Sequence, residues 1–554
     1  MLQERFEWWS EPCVEQGGHG GGAPTRIRSG SAVSSAPGTR VRSGSAYPSR
    51  RVLPSDTFGR VRWPSLLLLT STTGLTASCE RPEPTGVVSA GPPSVVLISM
   101  DTLRADRLGA YGNPNGVTPN LDKFAAEAVV FDGAYSQAIQ TAPSHGSVFT
   151  GKYPSEQTGP GNQPSLDPER VTLAQMLTLY GYQTAAFVAG ADLSPHRKLD
   201  RGFTTYKASV DFGSLHHTTP MALAWLEAAD KARPLFLMVH GYDSHSLYLK
   251  PAPYGYLHAD LDYSGEAQTL VRTATERLID GQIYSNFDGL LQTQITLLRP
   301  RDPAGIPEVA RMMKRATGEP KPVVDEDIEH IRDVYDGAVS YADAMFGTFM
   351  AGLERHGVLD NAYVIVMSDH GEQLGEHGLF GHCCNVGEEE TKVVLMIRAP
   401  KGQNGGRHVA GYTELVDILP TVADIAGVPP PGDTAGRSLF AAVQGEPFEP
   451  RAFVHAQGSH LSRTVTVRGH GGRLTYTGLA PTCALLADVV DAARLDGPGF
   501  LASDAPADAR PALREEMVRW LRALDPPPSR NTAAPLPDAL RKSLREHGYF
   551  EVEK

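Results

Sequence analysis

From Ser94 onward the chain alternates between two kinds of apolar pattern. The stretches "SVVLISM", "TAAFVAG", "PLFLMVHGYD", "AYVIVMSDHG" and "VVLMIRAP" are short and continuously apolar, as strands buried on both faces are. Between them, "TPNLDKFAAEAVV", "TLAQMLTLYG", "PMALAWLEAADKA" and "YDGAVSYADAMFGTFMAGLERHG" carry apolar residues at helical spacing, the last running into a stop signal at Gly357. This alternation predicts an α/β fold, with a mostly parallel central sheet flanked by helices. In such sheets chemistry collects just beyond the carboxyl ends of the strands.

Polar residues gather at those ends. "MDTLRAD" follows the first strand, "HGYDSH" a middle one and "SDHGEQLGEHGLFGH" a late one, each with a carboxylate, a histidine or both. The less regular region 247–334 reads as an insertion, partly helical, that overhangs the rim. Beyond residue 446 the composition shifts. "VTVRGHGGRLTYTG" predicts a hairpin and "RPALREEMVRWLRALD" a helix, so 447–554 is expected to form a smaller C-terminal α+β subdomain packed on the 94–446 catalytic domain.

The N-terminal region follows different rules. Residues 1–60 are Gly-, Ser- and Arg-rich, repeat "RIRSGSA" as "RVRSGSA" and show no period. They are expected to be disordered, or a misassigned leader if translation starts at Val61. Residues 61–79 pass from basic to apolar to small and end in "LTASC", the order of a secretory signal with a lipoprotein-like cleavage site at Cys79. Residues 80–93 then form a linker. The expectation is an exported protein, either periplasmic or tethered to the extracytoplasmic side of a membrane through a lipidated Cys79. A net charge of -12 with no basic stripe excludes nucleic acid as a partner. Five cysteines in these positions give no disulfide framework.

Asp101 directly follows the first strand, and Asp369 and His370 follow "VIVM" through Ser368. Two carboxylates and an imidazole brought together by parallel strands suit one divalent cation, with Mn, Mg, Ca and Zn all open. A hydroxyl that is both fourth ligand and nucleophile would complete the set, because coordination lowers its pKa. "IQTAPSHGSVFTGKYP" offers Thr141, Ser144 and Ser147 on a segment that runs into a helix, whose unpaired first-turn N–H groups favour an anion.

The stretch from "VVLISMDTLRADRLGAYG" to "TAPSHGSVFTGKYP", with "VIVMSDHGEQLGEHGLFGH" and "TELVDILPTVADIAGV" after it, resembles the sulfatase family of the alkaline phosphatase superfamily over roughly 94–428. The family pattern C/S-x-P-x-R appears here as T-x-P-x-H, through Thr141, Pro143 and His145. Thr141 cannot yield formylglycine, so none is expected, and Thr141 itself becomes the nucleophile. Ser144 and Ser147 are left to capping or packing.

The resemblance implies a metal held by Asp101, Thr141, Asp369 and His370. Thr102 stands where many relatives have a second Asp. The resemblance also implies that His145 orients the nucleophile or contacts a substrate oxygen, that His245 is the general acid, and that His377 and His382 bind the anionic ester. His240 and Asp243 are read as structural. The implied activity is hydrolysis of a sulfate or phosphate ester on a glycan, lipid headgroup or small molecule. The alternatives are a phosphoethanolamine- or phosphoglycerol-type transferase acting on envelope acceptors, and a catalytically silent ligand-binding homologue.

Overall fold

The computed structural model describes residues 91–158, 165–208, 213–246, 248, 250–265, 267, 324–376, 380–382, 386–458, 464–477 and 500–524. Strand β1, Ser94–Met100, is buried at every position after its first, as its unbroken apolar run requires. Its side chains alternate between two cores. Val96, Ile98 and Met100 face one, while Val95 and Leu97 face the other.

The central sheet has eight strands: β1; β2, Val129–Tyr135; β3, Gln183–Val188; β4, Thr205–Ala208; β5, Leu235–Gly241; β6, Ala362–Met367; β9, Leu395–Arg398; and β10, Arg407–Glu414. Their order is β10-β2-β9-β6-β1-β5-β3-β4. All pairings are parallel except those of β9, which runs antiparallel to β2 and β6. β9 is the apolar run "VVLMIRAP". A strand buried on both faces has the same pattern whichever way it points, so its direction was invisible in the sequence. Two short strands, β7 (Gln373–Leu374) and β8 (Phe380–Gly381), form a separate ribbon.

One core is covered by the helix Asp325–Arg355, which buries Ile331, Val334, Tyr335, Ala338, Ala342, Phe346, Phe349 and Leu353 at three- and four-residue spacing. It ends with Gly357 in the left-handed region at φ 67°, a conformation glycine adopts without a Cβ penalty. The helix starts at Asp325 rather than near Tyr335, so its first turns take up the end of the region read as an insertion. Most of the remaining insertion lies outside the described residues. The other core is covered by the helices Thr141–Thr150 and Ile418–Ala426.

A second sheet follows, antiparallel in the order β11-β12-β13-β14, with β11 at Phe453–Gln457, β12 at Thr464–Gly469, β13 at Gly472–Thr477 and β14 at Phe500–Ser503. The expected hairpin is β12–β13, closing at Gly469 opposite Gly472. Helix Arg510–Ala523 packs Leu513, Met517, Trp520 and Leu521 onto Val465, Val467, Leu474 and Tyr476. The leader, the signal with Cys79 and most of the linker lie outside the described residues. Among the described residues no helix is long and apolar enough to cross a membrane.

Candidate active site

β1 sits between β5 and β6, so three polar strand ends emerge side by side. The Asp101 N–H continues the β5 ladder, donating to the Gly241 carbonyl at 3.0 Å. The Asp101 carbonyl accepts from Ser244 Oγ at 2.6 Å and Thr102 Oγ1 at 2.8 Å. Asp369 and His370 leave β6 through Ser368, whose hydroxyl accepts from the Val394 N–H at 2.9 Å. The helix Thr141–Thr150 is tied to that loop by Ser144, whose Oγ donates to the Asp369 carbonyl at 2.7 Å. Ser147 Oγ accepts from Gln157 Nε2 at 2.8 Å. Both serines therefore pack inward and neither caps the helix. Its first residue, Thr141, faces the strand ends.

Each residue of the centre contributes one atom left over from other bonds. Asp101 Oδ2 accepts from Thr141 Oγ1 at 3.0 Å and contacts His240 Nε2 at 3.3 Å, which leaves Oδ1. Asp369 Oδ1 accepts from the His370 N–H at 2.9 Å and the Thr102 N–H at 3.3 Å, which leaves Oδ2. His370 Nδ1 donates to the Gly371 carbonyl at 2.9 Å, which turns the Nε2 lone pair inward. Asp101 Oδ1, Asp369 Oδ2 and His370 Nε2 are all buried without a hydrogen-bond partner. They converge, with Nε2 lying 3.6 Å from Asp369 Oδ2 and 4.0 Å from Asp101 Oδ1.

Unpaired polar atoms in a dry interior are costly, and a cation is the ligand that satisfies two carboxylate oxygens and an imidazole nitrogen together. These residues fit a divalent metal. The electrostatics agree: burial and the neighbouring Asp369 push the Asp101 carboxyl well above the usual range. Burial pushes Asp369 the same way, but His370, His145 and His240 together hold it below its ordinary value. Two carboxylates this close resist joint ionisation, and positive charge between them removes the conflict.

Thr102, which stands where many relatives have a second Asp, turns its hydroxyl onto the backbone. Thr102 sits at φ 54°, strained for a β-branched residue, with its hydroxyl folded back onto the Asp101 carbonyl. Tyr335 of the long helix pins it by donating to its carbonyl at 2.7 Å.

A chain of rings surrounds the centre. His145 is wholly buried, with Nδ1 on the Thr141 carbonyl at 2.8 Å and Nε2 on Ser99 Oγ at 2.9 Å. Both nitrogens are engaged inside the protein, so the geometry supports orientation of the Thr141 turn and does not offer the ring to a substrate oxygen. His145, His240 and Asp369 also cluster, but with His145 committed in this way they do not make a second cation site. Burial lowers the pKa of His145 and of His240 to about 4. His382 lies against His370, with ring centroids 4.4 Å apart, and His245 against His382 at 5.0 Å. Glu372 Oε1 holds His382 Nδ1 at 3.1 Å. His377 lies outside the described residues. Asp243 accepts the Leu215 N–H at 2.8 Å and so caps the helix Leu215–Ala228.

The sequence reading did not name two contributors, Glu372, which orients His382, and Ser99, which anchors His145; His240, read as structural, is buried with Nε2 on Asp101. A glutamate two positions past His370 was a usable signal, whereas nothing local marked Ser99.

The Sulfatase family pattern matches residues 93–428, more than half of the chain and the same span as the motif resemblance. The chain belongs to the sulfatase family. Within it, the chain is 25% identical over 435 residues to the N-acetylglucosamine-6-O-sulfatase of Bacteroides thetaiotaomicron, covering 70% of this chain and 76% of that protein. It is 23% identical over 427 residues to the multifunctional alkaline phosphatase superfamily protein PehA of Trinickia caryophylli, covering 65% of this chain and 79% of the other. The fold is shared with the phosphonate monoester hydrolase of Agrobacterium radiobacter, at a TM-score of 0.57 and 19% identity over 78% of this chain and 95% of that one. This sulfatase-family chain is thus an ester hydrolase of the sulfatase type.

Proposed function

We propose that this sulfatase-family chain hydrolyses an anionic sulfate or phosphate ester by direct attack of Thr141 Oγ1 on the sulfur or phosphorus. The observation that carries the reading is the convergence of Asp101 Oδ1, Asp369 Oδ2 and His370 Nε2, each unpartnered, beside a threonine hydroxyl bonded to the same Asp101. Asp101, Asp369, His370 and Thr141 would hold the metal, which when bound supplies positive charge that acidifies a hydroxyl and steadies negative charge on ester oxygens.

The chain's own groups do the rest. The Thr141 proton leaves through its acceptor, Asp101 Oδ2, at 3.0 Å. His145 fixes the Thr141 carbonyl and with it the direction of the hydroxyl. The helix that starts at Thr141 would offer first-turn N–H groups to an incoming anion, a position a helix start favours. His382, oriented by Glu372, receives an ester oxygen, and His377 is assigned the same role. His245, whose Nδ1 donates to the Ser246 carbonyl at 2.6 Å, is assigned as the general acid, giving a proton to the departing oxygen from its imidazolium form. As the ester O–S or O–P bond breaks, a covalent Thr141 ester forms. Water then cleaves it at sulfur or phosphorus, returning the hydroxyl. Sulfated or phosphorylated glycans, lipid headgroups and small esters all meet these requirements. The signal-like segment ending at Cys79 supports a reaction on the extracytoplasmic side, with the protein either free in the periplasm or tethered through a lipidated Cys79.

Metal content by elemental analysis, together with turnover of nitrophenyl sulfate, phosphate monoester and phosphodiester by the wild type and Thr141→Ala, tests this. The expected result is metal in both proteins and turnover in the wild type alone. A Thr141→Ala variant with wild-type rates would overturn the nucleophile, and a metal-loaded wild type inert on all three esters would favour a silent binding protein.

A further inference from the structure

β11 of the C-terminal sheet does more than close that sheet. Its last residue, Gln457, is buried, and three of its atoms are bonded to the polypeptide on either side of the helix that begins with Thr141. On the upstream side the Gln457 N–H donates to the Gln137 carbonyl at 2.9 Å, with Ala138 bridged alongside. On the downstream side Gln457 Oε1 accepts from the Ser155 N–H at 2.8 Å, and Nε2 donates to Ser155 Oγ at 2.9 Å.

Both attachments lead to the helix by short, well-bonded routes. Gln137 is fixed in turn, with Nε2 on the Tyr135 carbonyl at 2.9 Å and Oε1 on the Val416 N–H at 3.1 Å. Ile139, just before Thr141, is wholly buried against Val386 and Ala456, the β11 neighbour of Gln457. Past Ser155, Gln157 reaches back with Nε2 to the Pro143 carbonyl at 3.0 Å and to Ser147 Oγ at 2.8 Å. One residue therefore closes a loop of bonds that contains the whole helix, its backbone N–H holding the upstream flank and its side chain the downstream one.

We propose that Gln457 is a positioning residue for Thr141, through which the C-terminal sheet holds the nucleophile's helix in register with the strand ends of β1 and β6. The proposal rests on Thr141 being the nucleophile. In-line attack demands close approach and alignment, and a displacement near 1 Å costs on the order of a hundredfold in rate. Asp101, Asp369 and His370 are carried by other strands, so loosening Gln457 moves the attacking oxygen and spares the three-atom metal cradle.

The test uses the full chain with manganese as the metal probe. Gln457→Ala is expected to lower kcat for the best nitrophenyl ester by about tenfold or more, with KM and manganese affinity changed less than about twofold. Amide exchange in residues 138–144 should quicken. Gln457→Glu keeps two oxygens to accept from Ser155 N–H and Oγ–H, so it should recover most of kcat. An unchanged kcat with a lowered Tm would overturn the proposal, as would parallel loss of kcat and manganese affinity. If Gln457→Ala does not fold, Ser155→Ala, which removes one of the two side-chain bonds, takes its place with the same outcomes. Thr141→Ala measured in parallel separates the two readings. Full activity there overturns the nucleophile and the positioning role with it, whereas an inactive Thr141→Ala beside an unimpaired Gln457→Ala overturns the positioning role alone.

Discussion

Two clusters of charge are buried in this protein, and they are bonded in opposite ways. At the strand ends, Asp101, Asp369 and His370 each direct one atom at a common point and leave it unpartnered. At the junction with the C-terminal sheet, Glu414, Asp417, Arg451, His455 and Glu516 satisfy one another. Glu414 accepts from Tyr153 Oη at 2.9 Å and pairs with Arg451 at 3.2 Å; His455 pairs with Glu414 at 3.1 Å and Glu516 at 2.9 Å; and Arg451 also pairs with Asp417. Equal dryness, with unequal satisfaction, separates a site built to receive a ligand from one built to hold two parts of a chain together.

The sharpest way to break this comparison is at the receiving cluster. Thr141→Ala is expected to reduce turnover by about a thousandfold or more while retaining metal, read from steady-state rates and elemental analysis. Asp369→Asn should instead abolish metal binding. Added manganese should raise the Tm of the wild type, by about 2.7 kcal/mol of stabilisation at a hundredfold excess over its Kd, and leave the variant unmoved. A variant that still gained stability would show that the three converging atoms are not the cation's cradle.

The paired cluster should respond in stability. His455→Ala removes one member of a saturated network and is expected to cost about 3 kcal/mol in denaturant unfolding, with metal affinity retained. The wild type should also weaken with alkali through the same group. Burial pushes the His455 imidazole down, but its bonds to Glu414 and Glu516 raise it above its ordinary 6.5. The folded state therefore holds this proton more tightly than the unfolded one. The stabilisation is complete below pH 6.5 and is lost as pH rises through the raised value, a dependence that His455→Ala should remove.

The smallest effect is expected at Thr102. Glycine there relieves a strained φ of 54° at the loss of one hydroxyl bond, so Thr102→Gly should shift stability by no more than about 1 kcal/mol. A larger loss would mean that the Thr102 side chain, too, belongs to the receiving cluster.

Much of the receiving cluster was legible in the chain. Asp101 and the Asp369–His370 pair stand directly after continuous apolar runs, and an apolar run that ends in a carboxylate announces both the strand and its functional end. Thr141 was legible through its place in T-x-P-x-H. The paired cluster was not legible, because Glu414, Arg451, His455 and Glu516 share no motif and meet only when the second sheet docks. The contact of His240 with Asp101 was not legible for a related reason. His240 lies inside an apolar strand, and only the placement of β5 against β1 sets its ring beside Asp101.

By itself the sequence determined the strands and helices, the mostly parallel sheet and the types of ligand at its rim, because these follow from local periodicity and from residues adjacent to it. Tertiary structure alone decided that β1 lies between β5 and β6, that β9 runs backwards, and which oxygen of each carboxylate stays free. It also decided that Gln457 reaches both flanks of the Thr141 helix. These are consequences of packing between segments remote along the chain, where bonds made by one neighbour set what remains for the next.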